Sequence, residues 1–153
     1  MKLHILCIGK LKRGPEHDLV EDYVTRARAL VRRAGLLSLD IAEGAEATKD
    51  GEARWLLGRL PDKAFAAALD EKGKAMTSAA FAALIRRQAD NGITDMAFLI
   101  GGPDGHGAAV RRRADLALAF GPQTWPHRLV RVMLAEQIYR AVTIMVNHPY
   151  HRP

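Results

Sequence analysis

The chain has 153 residues, of which 48% are hydrophobic and 26% are charged, so it can bury the core of one globular domain. This composition excludes a disordered or low-complexity chain, and no run of about 18 uncharged apolar residues predicts a membrane span. The formal net charge is +6, which favours a partner that carries negative charge.

The first predicted element is a buried strand over residues 3–9, and it contains the single cysteine, Cys7. We expect Cys7 to be structural, because no base lies beside it in the sequence. A lone cysteine cannot form an intrachain disulfide. In the opening MKLHILCIGKLKR most basic residues follow the apolar run, whereas in a signal peptide they precede it. We therefore expect a cytoplasmic protein.

The next elements alternate between helix and strand. A helix with an apolar stripe is predicted for residues 16–34, where Gly35 stops it. The alanine-rich run KAFAAALD favours a helix by propensity, but its position between two helices and its GKAM exit predict a strand. The remaining predictions for this half are a strand at 36–41, a helix at 45–60 and this strand at 63–70.

The second half continues the alternation. A helix at 78–91 is capped by Thr77 or Ser78 and stopped by Asn91-Gly92. A strand at 95–100, a short helix at 108–114 and a strand at 115–120 follow. Thr124 is predicted to cap a long helix that ends near Met145. Strands that alternate with helices predict one α/β domain, residues 1–153, with a mostly parallel sheet.

Three predicted strand ends carry glycine-bearing loops, at 69–76, 99–107 and 119–127. Parallel sheets bind ligands at the carboxyl ends of their strands, and glycine lets the backbone approach a ligand closely. The dinucleotide fingerprint is absent, because Val110 stands where its third glycine would be, and no phosphate-binding G-K-[ST] occurs. The loops therefore predict a ligand site of another kind, although each alone could be a tight turn.

The C-terminal region predicts partners. The helix in PHRLVRVMLAEQIYRAVTIMVNHPY is apolar on most sides, which indicates a homodimer. The spacing of His148 and His151 is that of a metal pair, but Pro149 interrupts it and no acidic cluster accompanies it, so we expect no metal. Beyond residue 100 there are seven arginines but only three acidic residues, a pattern typical of phosphate contacts, although a solubilising surface would have the same composition. The arginines are Arg111, Arg112, Arg113, Arg128, Arg131, Arg140 and Arg152.

The segments FLIGGPDG, TWPHRLVRVMLAEQIYRA and NHPYHRP together resemble the RlmH family of ribosomal RNA methyltransferases. The opening MKLHILCIGKLK and the central LDEKGK are similar to this family as well, so the resemblance spans the chain. It implies a SPOUT fold with a trefoil knot in roughly residues 69–153. Knots are rare in proteins, so general folding rules alone would not predict this one. It also implies a homodimer, bound S-adenosylmethionine, and methylation of N3 of a pseudouridine in the 23S rRNA of assembled ribosomes.

The resemblance also assigns residues. Cofactor contacts are expected from Leu69, Gly101, Phe120, Gly121, Pro122, Gln123, Thr124 and Trp125. Because the cofactor supplies the reactive methyl group, the protein mainly positions the acceptor, whose N3 must still lose a proton. The unranked candidates for the catalytic group are His127, Arg140, His148, Tyr150, His151 and Arg152.

The terminal HPYHRP raises a separate expectation. Its helix anchor and Pro149 lower the cost of ordering it, and its side chains can stack on a base, contact phosphate or accept a proton. We expect it to complete the active site, across the dimer interface. Two other functions stay open: a non-catalytic RNA-binding or ribosome-associated protein of the same fold, and an α/β enzyme that acts on a small nucleotide.

Overall fold

A computed structural model describes residues 1–152, and within them five strands alternate with five helices. Each helix joins two neighbouring strands in the sequence, except α5, which follows the last strand. The elements are β1 Lys2–Ile8, α1 Pro15–Leu30, β2 Ser38–Gly44, α2 Lys49–Arg59, β3 Phe65–Ala75, α3 Ser78–Asp90, β4 Asp95–Ile100, α4 Ala108–Arg113, β5 Leu116–Ala119 and α5 His127–Met145.

The five strands form one parallel sheet in the order β2-β1-β4-β3-β5. This confirms the predicted α/β class. The central strands β1 and β4 are apolar and buried, as residues such as Ile5 and Phe98 show, because helices cover both faces of the sheet. Since every strand runs in the same direction, all five carboxyl ends lie along one edge.

Two hydrophobic layers hold the helices on the sheet. Val24 of α1, Ile85 of α3 and Ile138 of α5 belong to the larger layer on one face. Leu56 of α2 and Val110 of α4 belong to the smaller layer on the other face. The long helix α5 therefore lies against both α1 and α3, and its first turn lies at the edge where the strands end.

The cysteine prediction agrees with the structure. Cys7 is fully buried in β1, and this burial raises the pKa of its thiol to about 12. The group is therefore a neutral thiol at physiological pH and packs as a small apolar side chain.

No helix in the described range 1–152 has both the length and the apolar character needed to cross a membrane.

Several predicted boundaries are wrong for local reasons. Helix α2 begins at Lys49, because the side chain of Thr48 accepts a hydrogen bond from the amide of Gly51. Strand β2 begins later than predicted and continues to Gly44, since it pairs with β1 along its whole length. Thr124 does not cap α5. Its hydroxyl donates to Glu71 Oε2 over 2.7 Å, and the helix begins after Pro126.

The predicted loop at 69–76 is also wrong, because β3 continues through it to Ala75. Leu69 and Lys74 both pair with Leu118 of β5, so the residues between them bulge out of the strand. The Cβ of any other residue at Gly73 would lie 2.6 Å from the backbone of Ala117, so glycine alone permits this approach. The bulge keeps its polar side chains at the edge where the strands end.

Candidate active site

The three predicted glycine-bearing segments meet around one cavity of about 760 Å³. Its walls come from the bulge of β3, the loop after β4, the loop after β5 and the first turn of α5. Its lining includes Leu69, Asp70, Gly101, Gly102, Gly105, His106, Arg111, Phe120, Gly121, Gln123, Thr124, Trp125 and His127. The volume lies within the range of small-molecule sites, roughly 300–1,000 Å³.

The loop after β4 folds tightly over Gly101. A Cβ at this position would lie 3.2 Å from His106 Nδ1 and 3.3 Å from the carbonyl of Gly105. The neighbouring Gly102 faces the carboxylate of Glu52 in the same way, and its amide donates to Glu52 Oε2 over 3.4 Å. A side chain at Gly101 would therefore first displace the loop itself, before it met any bound ligand.

His106 is the most enclosed polar side chain of this cavity, with 3% of its surface exposed. Its Nε2 lies 3.1 Å from the carbonyl oxygen of Leu99, whereas its Nδ1 is buried without a partner. Burial lowers the pKa of His106, which favours the neutral ring. With the proton on Nε2, the Nδ1 atom is an unused hydrogen-bond acceptor beside Gly101.

Sequence reasoning did not select His106, although it lies inside the GGPDGHG segment. The sequence signal that could have identified His106 is its position as a titratable side chain within a glycine-rich loop. Asp70 was not selected either. Its Oδ1 accepts from the amide of Lys72 over 3.0 Å, and its Oδ2 accepts from Arg111 Nε over 3.0 Å. These two contacts lower the pKa of Asp70, so the cavity wall carries a carboxylate.

The loop after β5 contributes most of the expected cofactor contacts. Of the eight residues named from the resemblance, seven line the cavity, and Pro122, which is exposed, does not. Trp125 closes the loop, because its Nε1 donates to the carbonyl of Phe120 over 3.1 Å. This bond and the Thr124–Glu71 bond hold the loop against β3.

His127 begins α5 and faces the same cavity. Partial burial lowers its pKa, and the adjacent charges of Arg128 and Arg131 lower it further, while Glu52 opposes them. The imidazole is therefore neutral at physiological pH and can accept a proton. Its Nε2 would lie 3.8 Å from a Cβ at Gly9, so the end of β1 also borders this residue.

Arg131, one turn further along α5, does not contact solvent. Only 1% of its side chain is exposed, and it donates to Glu43 Oε2 over 2.7 Å and to the carbonyls of Ile8 and Gly9 over 3.2 and 2.6 Å. The expectation that Arg131 contacts phosphate is therefore wrong. It joins α5 to the ends of β1 and β2.

The other five catalytic candidates lie elsewhere. Tyr150 donates its hydroxyl to Glu136 Oε1 over 3.0 Å, and its ring packs 4.6 Å from that of Tyr139. Arg140 donates to the same oxygen of Glu136 over 2.6 Å and lies over the Tyr150 ring. Burial and hydrogen bonds raise the pKa of Tyr150, so its phenol stays protonated.

The histidines of the tail border this cluster. His151 Nδ1 lies 3.4 Å from Arg140 Nη1, and His148 Nδ1 accepts from the amide of Tyr150 over 3.2 Å. Arg152 is exposed, and Pro153 lies outside the described residues. Tyr150 and His151 of the tail thus pack on α5 of the same chain.

The two groups of candidates are far apart within one chain. Arg140 lies 13 positions after His127 in α5, which corresponds to about 20 Å at a rise of ~1.5 Å per residue. His127 lines the cavity, whereas Arg140 and Tyr150 meet at Glu136 in the middle of α5. Among residues 1–152, no three His, Cys, Asp or Glu side chains are grouped as metal ligands.

Comparisons with known proteins agree on one family. The family model described as "Predicted SPOUT methyltransferase" matches residues 1–151. The chain is 50% identical over 153 residues to the ribosomal RNA large subunit methyltransferase H of Hyphomonas neptunium, with 99% of each chain covered. It is 49% identical over 153 residues to the protein of the same name from Paramagnetospirillum magneticum, with 100% of each covered.

A solved structure is similar to a lesser degree. It is a Legionella pneumophila methyltransferase with bound S-adenosylmethionine, 10% identical, with a TM-score of 0.45 over 90% of this chain. This chain spans 65% of the length of that protein.

Proposed function

Since the chain belongs to the SPOUT methyltransferase family, we propose that it transfers a methyl group from S-adenosylmethionine to N3 of a pseudouridine in the 23S rRNA of the large ribosomal subunit. Curated relatives that are 46–50% identical over nearly their whole length support large-subunit ribosomal RNA as the substrate by their name. The proposal also places the protein in the cytoplasm, where ribosomes are. The observation that carries it is the meeting of three separate strand ends around one cavity.

The cavity residues fit the proposed cofactor. Glycine at 101 leaves room for a tightly folded loop, and the buried Nδ1 of His106 offers an acceptor that has no partner among residues 1–152. The loop Phe120–Trp125, Leu69 and Gly101 would hold the cofactor largely through backbone groups, with His106 as an added side chain. When bound, S-adenosylmethionine supplies an electrophilic methyl group on a positively charged sulfur.

The proposed knot involves the same residues, 69–153. Strand β5 pairs with β3 on the side opposite β4, so the chain crosses β3 before it continues into α5. The loop after β5 is then tied back to β3 by Thr124 and Glu71. This arrangement supports a cofactor site formed where the chain passes over itself.

His127 is our proposal for the group that receives the N3 proton. It shares the cavity with the cofactor-binding loops, and its lowered pKa keeps a ring nitrogen available. Tyr150 is a poor base, because its raised pKa retains the proton that it donates to Glu136. A neutral ring nitrogen of His127 would take the N3 proton, while the methyl group gained by N3 would come from the bound cofactor, whose carbon–sulfur bond would break to leave an uncharged thioether.

We propose that the tail acts on the cavity of a second copy. Within one chain its Tyr150 bonds Glu136, which lies about 14 Å along α5 from His127 at a rise of ~1.5 Å per residue, and no described tail residue lines the cavity, so we propose that it reaches the cavity of a partner. A second hollow of about 510 Å³ beside α5 supports an interface, because apolar residues such as Leu19, Phe81 and Met133 line it. Leu19 is 44% exposed, although it is a large apolar side chain.

The experiment that tests the function is transfer of labelled methyl groups to bacterial ribosomes that lack this modification. We expect label in one nucleotide of the 23S rRNA and a protein that sediments as a dimer. Binding of S-adenosylmethionine without transfer would contradict the proposed substrate. Absence of any cofactor binding would instead favour a non-catalytic RNA-binding protein.

A further inference from the structure

The segment between β1 and α1 forms an exposed basic loop, which we define by Lys10, Lys12 and Arg13. All three side chains are exposed, and none forms an ion pair with a carboxylate in the part of the chain that the structure describes. The loop follows the carboxyl end of β1, so it lies along the same edge of the sheet as the cavity.

The backbone of the basic loop is fixed by the buried Arg131. Arg131 donates to the carbonyl of Gly9 over 2.6 Å and to Glu43 over 2.7 Å. The same Glu43 oxygen accepts from the amide of Leu11 over 2.6 Å, and Leu11 packs on the core. The three cations thus project from a backbone that is already ordered, which lowers the entropic cost of binding a partner.

The loop also borders the proposed catalytic group. Gly9, which precedes Lys10, has a positive φ of 89°, and a Cβ there would lie 3.8 Å from His127 Nε2. A polymer that placed one nucleotide in the cavity beside His127 would therefore pass its neighbouring backbone over this part of the edge.

The arginines of the C-terminal region are less available for such a polymer. Arg131 is buried, Arg111 pairs with Asp70, and Arg140 pairs with Glu136. The charge that the composition assigned to RNA binding is thus partly used inside the fold. Within the described residues, positive charge beside His127 that forms no ion pair comes from Arg128 and from the N-terminal basic loop.

From these contacts we infer that the basic loop binds the phosphate backbone of the RNA segment that carries the target nucleotide. The inference rests on the proposed function for its choice of RNA. Lysine and arginine bind phosphates by charge, without reading the base sequence. The loop therefore positions the RNA on the cavity, and it does not select the nucleotide.

The test compares two triple variants with equal loss of charge. One is Lys10→Gln, Lys12→Gln and Arg13→Gln. The control is Arg32→Gln, Arg33→Gln and Arg87→Gln, whose exposed side chains follow α1 or end α3, at the opposite edge of the sheet. Binding to intact bacterial ribosomes is measured between 50 and 200 mM monovalent salt at fixed magnesium, and S-adenosylmethionine binding is measured by calorimetry.

We expect the loop variant to bind ribosomes on the order of tenfold more weakly and to lower the slope of log affinity against log salt by about 2 to 3. The control variant should keep the affinity and the slope of the parent, and both variants should bind S-adenosylmethionine normally. A loop variant that matches the control would overturn the inference alone. A parent protein that binds S-adenosylmethionine but no ribosomes would overturn the inference and the proposed substrate together.

Discussion

Tyr150 donates its hydroxyl to Glu136 over 3.0 Å, and this bond ties the end of the chain to the middle of α5. Arg140 holds the same carboxylate oxygen, so the tail rests on an ion pair that exists without it. Removal of the tail therefore leaves Glu136 with a partner. This makes truncation a usable test of what the tail does.

Deletion of residues 150–153 should leave a folded dimer that binds S-adenosylmethionine and has lost most methyl transfer to ribosomes, at least about tenfold. The reason is that the tail serves the cavity of the partner in our proposal, whereas in its own chain Tyr150 rests on α5 and near Tyr23 of α1. Sedimentation, calorimetry and a transfer assay provide the three readouts. Near-normal turnover would show that the tail has only a structural role.

Gly101→Ala should weaken S-adenosylmethionine binding by about tenfold or more. Its Cβ would lie 3.2 Å from His106 Nδ1 and would shift the loop that forms the cavity wall. Gly58→Ala is the matched control, because a Cβ at Gly58 meets nothing within 4 Å and alanine favours helix α2. Calorimetry on both variants checks this, and equal affinities would place the cofactor away from Gly101.

His106→Leu should separate binding from stability. The substitution removes an unpartnered buried nitrogen but also the bond from Nε2 to the Leu99 carbonyl, so the free energy of unfolding should fall by about 1 to 3 kcal/mol. Binding of S-adenosylmethionine should weaken about five- to tenfold if Nδ1 accepts a hydrogen bond from it. A variant with unchanged affinity would show that Nδ1 does not face the bound cofactor.

Methyl transfer should depend on the protonation of His127. Its pKa lies below the ordinary value of 6.5, so the rate should be constant near neutral pH and fall only at more acidic pH, as the ring gains a proton. The same lowered pKa means that its contribution to stability is present above the unfolded pKa and is lost as pH falls.

The pH profile of His127→Asn, compared with that of the parent, provides the check. Loss of the acidic limb together with a rate at least about a hundredfold lower would support His127 as the base. An unchanged limb would assign the proton to another group. Cofactor affinity is measured in parallel, so that a binding defect is not mistaken for a catalytic one.

Arg131→Met should destabilise the fold by about 3 kcal/mol, because it leaves two strand-end carbonyls without this donor and Glu43 without its cation. Arg26→Met is the control, since Arg26 pairs with Asp22 on the surface and its loss should change stability little. Thermal unfolding of both variants measures the difference. Equal melting temperatures would contradict the structural role of Arg131.

The sequence predicts the alternation of elements well where local signals are strong. The strand Asp95–Ile100 matches its prediction, because a polar turn precedes it and two glycines end it. The bulge in β3 is not visible in the sequence, since DEKGK is polar and favours a loop. Its strand geometry comes from pairing with β5, which is a tertiary effect.

The candidate site shows the same division. The glycine-rich loops are recognisable from the residues alone, and the parallel sheet brings them together. The burial of Arg131 and His106 cannot be recognised from the sequence, because composition does not distinguish a buried charged or titratable side chain from an exposed one. Both are held by backbone carbonyls whose positions depend on the complete fold.

The bonds from Arg131 to Ile8 and Gly9 join residues that are 123 and 122 positions apart in the chain. During synthesis, β1 and β2 leave the ribosome long before α5 is made, and domains fold as their sequence becomes available. The ends of both strands must wait for the last helix before these bonds can form. A nascent chain that stops before α5 therefore has a sheet edge but no fixed RNA-facing loop, and the protein becomes competent for its own substrate only after its translation is nearly complete.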